Sequence, residues 1–210
     1  MYLISSGLFI RFGIIFYLVG RSLLIWIRYK KQKQVYLLKE AIGFLFIVYI
    51  FMVISVTLFP FPINFNANFE YVQRSINIIP LKSIINDLSQ IGVAYDGDVL
   101  FMIGLIVRNV GGNILLLMPL GFIAPILWDK FKDFKSVILL GFCVSISIEI
   151  LQLLETILSG WGRVTDIDDV ICNVLGVIIG YLIYKLFIKI GSKFQVNIIQ
   201  KLNLSVSKNL

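Results

Sequence analysis

The sequence predicts an all-α integral membrane protein, a polytopic helical bundle of about five transmembrane helices. Three observations predict it. Of 210 residues, 59% are apolar and 15% are charged, and the mean hydropathy is +0.92. An ordinary soluble domain is about 45–50% apolar and about 25% charged, so most of this chain needs lipid as its solvent. Five stretches approach the ~20 apolar residues that cross a bilayer, and the basic residues gather in the loops of one side. The same composition excludes intrinsic disorder. With no His in the chain, the commonest general base and zinc ligand are missing, and two Cys build neither a disulfide scaffold nor a Cys-based metal site.

The spans are expected at residues 7–27, 41–59, 109–128, 136–158 and 167–188. The first has no basic segment before its apolar core and no small-residue cleavage site, so it reads as a retained anchor and not a signal peptide. Arg11 and Arg21 sit near its ends, where long stems carry the guanidinium to the interface, the alternative being a pair with a buried acid. Arg28, Lys30, Lys31, Lys33 and Lys39 follow the first span, and Lys130, Lys132 and Lys135 follow the third. Lys185, Lys189, Lys193, Lys201 and Lys208 follow or end the fifth. These thirteen stand against Arg74, Lys82, Arg108 and Arg163 on the other side. The basic side is expected to be cytoplasmic, with the N-terminus outside and the C-terminus inside. The net charge of +7 thus serves topology and attraction to anionic lipid heads. No basic patch interleaved with aromatics points to nucleic acid.

The outer loop, residues 60–108, opens with Pro60-Phe61-Pro62, which stops the second helix. An Asn-containing piece covers residues 64–68. Leu81, Ile84, Ile85, Leu88 and Ile91 then follow helical spacing, with Pro80 expected in the first turn. This predicts an amphipathic helix, lying in the outer interface or packed on the bundle as a lid. Asp96-Gly97-Asp98 signals a turn. Val99 to Val107 is too short to span; it is either a second interfacial or re-entrant piece or, as favoured, an extension of the third span into one rod, weakest at Gly111-Gly112. Pro119 and Pro125 predict a kink in that span.

Polar residues inside spans carry the functional information, because a charge near the bilayer centre costs about 2.5–3.5 kcal/mol on insertion scales. Ser145, Glu149 and Gln152 share one face of the fourth span. Counted from Gly160, Glu149 lies roughly 16 Å deep at 1.5 Å per residue. Arg163, Asp166, Asp169, Asn173, Gly176 and Gly180 form one stripe along the fifth, with Asp168 off it. Thr165 or Asp166 suits a helix N-cap, and Arg163 is placed to neutralise Asp166 or Asp169. Gly176-x-x-x-Gly180 permits close helix approach, and the fourth span is the expected neighbour. Asn109 and Asn113 face one way at the outer end of the third span. Together these groups predict a polar pocket in the outer half of the bundle, roofed by the outer loop. Two small, lipid-buried cysteines, Cys143 and Cys172, read as packing residues.

At these residues the sequence resembles the VanZ-like family of bacterial membrane proteins. The resemblance rests on Asn77-Ile-Ile-Pro80-Leu81 and on Asn109-x-x-Gly112-Asn113 with Met118-Pro119-Leu120-Gly121-Phe122 and Pro125. Ser147-Ile-Glu149-x-x-Gln152 and the stripe from Arg163 to Gly180 complete it. It covers residues 41–190, so residues 1–40 read as an extra helix with a basic loop and 191–210 as a cytoplasmic tail. The resemblance implies a multi-pass cell-membrane protein of the bacterial envelope. The family's named member is associated with low-level resistance to the glycopeptide teicoplanin.

Two functions from different classes fit. In the first, the pocket binds or processes a lipid-linked or otherwise amphiphilic envelope substrate. Glu149, Asp169 and Arg163 are then the candidate catalytic residues, with Glu149 as acid or base and Arg163 holding a phosphate or carboxylate. Asn77, Asn109, Asn113, Gln152, Asp166 and Asn173 are the candidate ligand-binding residues. Asp166 and Asp169 are candidate ligands for Mg²⁺ or Ca²⁺. In the second, the protein organises or shields surface lipids without catalysis, and the polar cluster serves helix packing.

Overall fold

The computed structural model describes residues 2–4, 6–31, 36–63, 69–159 and 162–193. The Asn-containing piece at 64–68 and the tail after Lys193 lie outside the described residues. Strand β1 (Tyr2–Ile4) leads into α1 (Ser6–Lys30), and α2 (Leu37–Leu58) returns to β2 (Phe61–Ile63), which pairs antiparallel with β1. The loop on that side holds α3 (Phe69–Arg74), β3 (Ile76–Asn77) and α4 (Lys82–Ser89). After a 3₁₀ turn at Tyr95–Gly97 come α5 (Val99–Ile106), a π turn (Val107–Gly111) and α6 (Gly112–Leu127). A second 3₁₀ turn (Asp129–Lys132), α7 (Phe134–Ser159), β4 (Thr165–Asp166) and α8 (Ile167–Lys193) complete the chain. Among the described residues, five helices are long and apolar enough to cross a membrane: α1, α2, the rod Val99–Leu127, α7 and α8.

The rod forms as the sequence predicts, with its irregular turn immediately before Gly112. The helix then continues unbroken through Pro119 and Pro125. Pro119 has no amide to give the Leu115 carbonyl, and one residue further on Tyr49 of α2 donates its hydroxyl to the Leu116 carbonyl at 2.8 Å. Gly97 takes φ 80°, which glycine adopts without strain. Asp98 then caps α5 by accepting from the Phe101 amide at 2.9 Å.

The core lies where α6, α7 and α8 meet, around Leu117, Val137 and Val177. Large apolar side chains stay exposed along every span, as lipid contact requires. Helix α1 buries no residue and sits outermost, against α2. Two favoured expectations give way here, that for Arg21 to its alternative of an acid partner. Arg21 does not simply reach for the interface: its Nε lies 2.5 Å from Glu40 of α2, and Arg28 reaches the same carboxylate at 3.5 Å. Glu40, starting α2, stands beside the end of α1, so antiparallel geometry makes the pair. The glycine stripe of α8 faces α6, not α7. A Cβ at Gly176 would meet the Ile114 carbonyl, and one at Gly180 the Met118 carbonyl. Gly121 of α6 approaches the Val177 carbonyl in return. Loop length made α7 the natural neighbour, but glycines on both α6 and α8 select each other.

Helix α7 begins at a cap that water reaches. The Ser136 amide donates to Asp133 at 3.0 Å and its hydroxyl at 3.1 Å. These bonds hold the Asp133 carboxyl below the usual aspartate range, the backbone amide foremost. A lowered folded-state value means its stabilisation is complete above the ordinary aspartate range and lost as pH falls through the lowered value. Thermal melts in detergent between pH 6 and pH 3 are therefore expected to show a smaller acid loss for Asp133→Asn than for the wild type.

Candidate functional site

The end of the bundle opposite the lysine-rich connections holds a cavity of about 610 Å³. Helix α2 contributes its last turn, α6 and the π turn one wall, α7 and α8 the floor, and α4 the roof. Eight of the nine sequence-predicted site residues line it: Arg163, Asn109, Asn113, Glu149, Gln152, Asp166, Asp169 and Asn173. Asn77 stands behind it. Its amide nitrogen donates to Asp166 at 2.8 Å and to the Ser83 hydroxyl at 3.0 Å. This position follows from a parallel bridge pairing Asn77 with Asp166 and Ile76 with Thr165.

Many polar groups here finish helices that belong to other parts of the chain. The last carbonyls of a helix have no partner within it. At the end of α2 the Thr57 carbonyl accepts from Gln152 at 3.0 Å. Arg163 donates to the carbonyls of Val56 at 2.8 Å and Phe59 at 3.1 Å. Its expected neutralisation of Asp166 or Asp169 is therefore replaced: among the described residues Arg163 makes no ion pair. The free carbonyls of α2 satisfy a guanidinium that sequence spacing assigned to carboxylates.

The start of α4 mirrors this. Pro80 is not in its first turn, because Leu81, at φ 64°, intervenes before the helix begins at Lys82. Asp168 of α8 takes the capping role. It accepts from the amides of Leu81, Ser83 at 3.0 Å and Ile84 at 3.3 Å. Asp168 is 2% exposed, and three charge-assisted bonds explain how a carboxylate is held there. Sequence reasoning passed it over because it falls off the stripe. Its partners are main-chain amides more than eighty residues away, which leave no side-chain signal. Ser83, Ile84 and Asp87 of α4 thereby face the cavity, while Ile85 and Leu88 stay exposed. The helix is both a lid and an apolar surface.

Asp166 does cap α8, as its position suggests: it accepts from the Asp168 amide at 2.9 Å. Its own amide donates to Glu149 at 2.9 Å. Asn113 donates to Asp169 at 2.5 Å, joining α6 to α8. Asn173 donates to the Ser145 hydroxyl at 3.0 Å, joining α8 to α7. The Asn173 side-chain oxygen is buried with no hydrogen-bond partner among the described residues. Arg108 also lines the cavity, from the π turn, and sequence reasoning counted it only as a loop charge.

Among the described residues no three of His, Cys, Asp and Glu gather as a metal-ion set. Asp166 accepts from Asn77 and from the Asp168 amide through one carboxylate oxygen, and Asp169 accepts from Asn113 through one. The free acceptors on the cavity wall suit hydrogen-bond donors or positive charge.

A family model described as VanZ/LLP1 covers residues 46–188. No curated protein and no solved structure matches the chain.

Proposed function

The chain belongs to the VanZ/LLP1 family, and on that premise we propose that it acts in the bacterial cell envelope, holding the polar head of an amphiphile in its cavity. The cavity would open at the outer leaflet, because the thirteen basic residues of the opposite side favour the cytoplasm. The observation that carries the reading is one cavity of about 610 Å³ shared by Glu149, Asp169, Asn113 and Asn173. This volume lies in the range of ligand sites. Glu149 and Asp169 would bear any proton transfer, while Arg163 acts by fixing the end of α2. Such a site would modify an envelope amphiphile or lower access of lipoglycopeptides such as teicoplanin to the surface.

Glu149→Gln and Asp169→Asn test this. Each is expected to abolish the tolerance or envelope phenotype conferred by the wild-type gene, at unchanged protein level in the membrane. An intact phenotype in both would remove the site reading. Purified protein offered labelled undecaprenyl-linked precursors, with and without Mg²⁺, separates turnover from binding.

A second reading has its own support. Gln152, Arg163 and Asp168 all finish helix ends, as a scaffold that organises lipids without chemistry would need. It requires phenotype loss to follow loss of folded protein in every variant.

A further inference from the structure

The groups left free in the cavity differ between its depth and its rim. In the depth, Glu149 uses one carboxylate oxygen for the Asp166 amide and Asp169 uses one for Asn113. Among the described residues no hydrogen bond reaches the other oxygen of either. Beside them, Asn173 is 1% exposed, lines the cavity, and keeps a buried side-chain oxygen without a partner. All three free atoms are acceptors. At the rim, Arg108 is exposed, lines the cavity, and makes no ion pair among the described residues. The π turn that carries it is an irregularity frequent at functional sites.

A ligand that completes these groups brings donors and positive charge to the floor and a planar-recognised anion to the rim. A primary ammonium carries three donors and no acceptor. A guanidinium takes a phosphate through parallel hydrogen bonds. We propose that the cavity recognises a zwitterionic headgroup whose primary ammonium lies beyond a phosphodiester. The ammonium sits among Glu149, Asp169 and Asn173, and the phosphate meets Arg108. A quaternary ammonium has no donor for the three acceptors, and a glycerol head brings no charge to them. This inference rests on the reading that the cavity holds an amphiphile's head. The same headgroup chemistry is available tethered to a lipid or free in solution.

The experiment uses the full chain in detergent, titrated with dihexanoyl phosphatidylethanolamine, phosphatidylcholine and phosphatidylglycerol, and with chain-free glycerophosphoethanolamine. Phosphatidylethanolamine is expected to bind about tenfold or more tighter than the other two lipids. Glu149→Gln and Asp169→Asn are expected to reduce it to their level, and Arg108→Gln to weaken all three alike. Chain-free glycerophosphoethanolamine binding as tightly as its lipid would support the headgroup assignment and identify the free source; weaker binding supports the lipid. Equal affinity of the wild type for the three lipids overturns the ammonium assignment and leaves the amphiphile reading standing. No binding of any of them overturns both. Arg108→Gln weakening phosphatidylethanolamine alone overturns the phosphate assignment. The wild-type ranking decides the ammonium question even where a floor variant fails to fold.

Discussion

Replacing Gly176 or Gly180 by leucine is expected to abolish accumulation of folded protein, and alanine at either position to cost about 2–3 kcal/mol. The added Cβ would run into main-chain carbonyls of α6, at Ile114 and Met118. Backbone cannot rotate aside as a flexible side chain can, so the two helices must separate. Separation opens the interface around Leu117 and Val177, two of the most deeply buried side chains. It also pulls Asn113 from Asp169, since these sit on the same two helices. Gly104 is the control. A Cβ there meets nothing within 4 Å, and alanine is favoured over glycine in a helix by roughly 0.5–1 kcal/mol. Membrane yield and the thermal midpoint in detergent measure the series. Equal midpoints for Gly104→Ala and Gly180→Ala would refute close α6–α8 contact.

Asp168→Ala is expected to cost at least about 3 kcal/mol, because it leaves three amides at the start of α4 without their acceptor. For a chain of this size that corresponds to a midpoint shift of roughly 6–12 °C. The loss is directional. Helix α4 has eight residues and no side-chain cap of its own, and Leu81 before it is held at φ 64°. Released from Asp168, that backbone is expected to relax and the roof of the cavity to loosen. Hydrogen exchange should then rise across Lys82–Ser89 while α8 keeps its protection. Asp168→Asn retains an oxygen acceptor and is expected to lose less. Unchanged exchange in α4 for Asp168→Ala would contradict the trans-cap.

The spans were legible because lipid imposes a single demand on composition, and the stripe from Asp166 to Gly180 was legible because a helix repeats every 3.6 residues. The structure accordingly brings Glu149, Asn113, Asp169 and Asn173 to one cavity. Partners were less legible where one of them is main chain. Arg163 was matched to carboxylates because charge is visible in sequence, yet it binds the carbonyls of Val56 and Phe59. Asp168 has the same origin, with amides of α4 as its partners. Arg108 was read as a loop charge because the π turn that brings it to the cavity has no composition of its own. The choice of α6 as the partner of the α8 glycines depended on Gly121, which only a two-helix comparison reveals.

Gly112 offers the most direct test of a cavity that holds an amphiphile's head. It lines the cavity, and a Cβ added there meets nothing within 4 Å, so a larger side chain can start there without meeting protein. Native mass spectrometry of wild type and Gly112→Trp, each extracted directly from membranes, measures retained amphiphile. The wild type is expected to carry a bound amphiphile, and Gly112→Trp to lose it while accumulating in the membrane at the wild-type level. Equal retention by both proteins would contradict occupancy of this cavity.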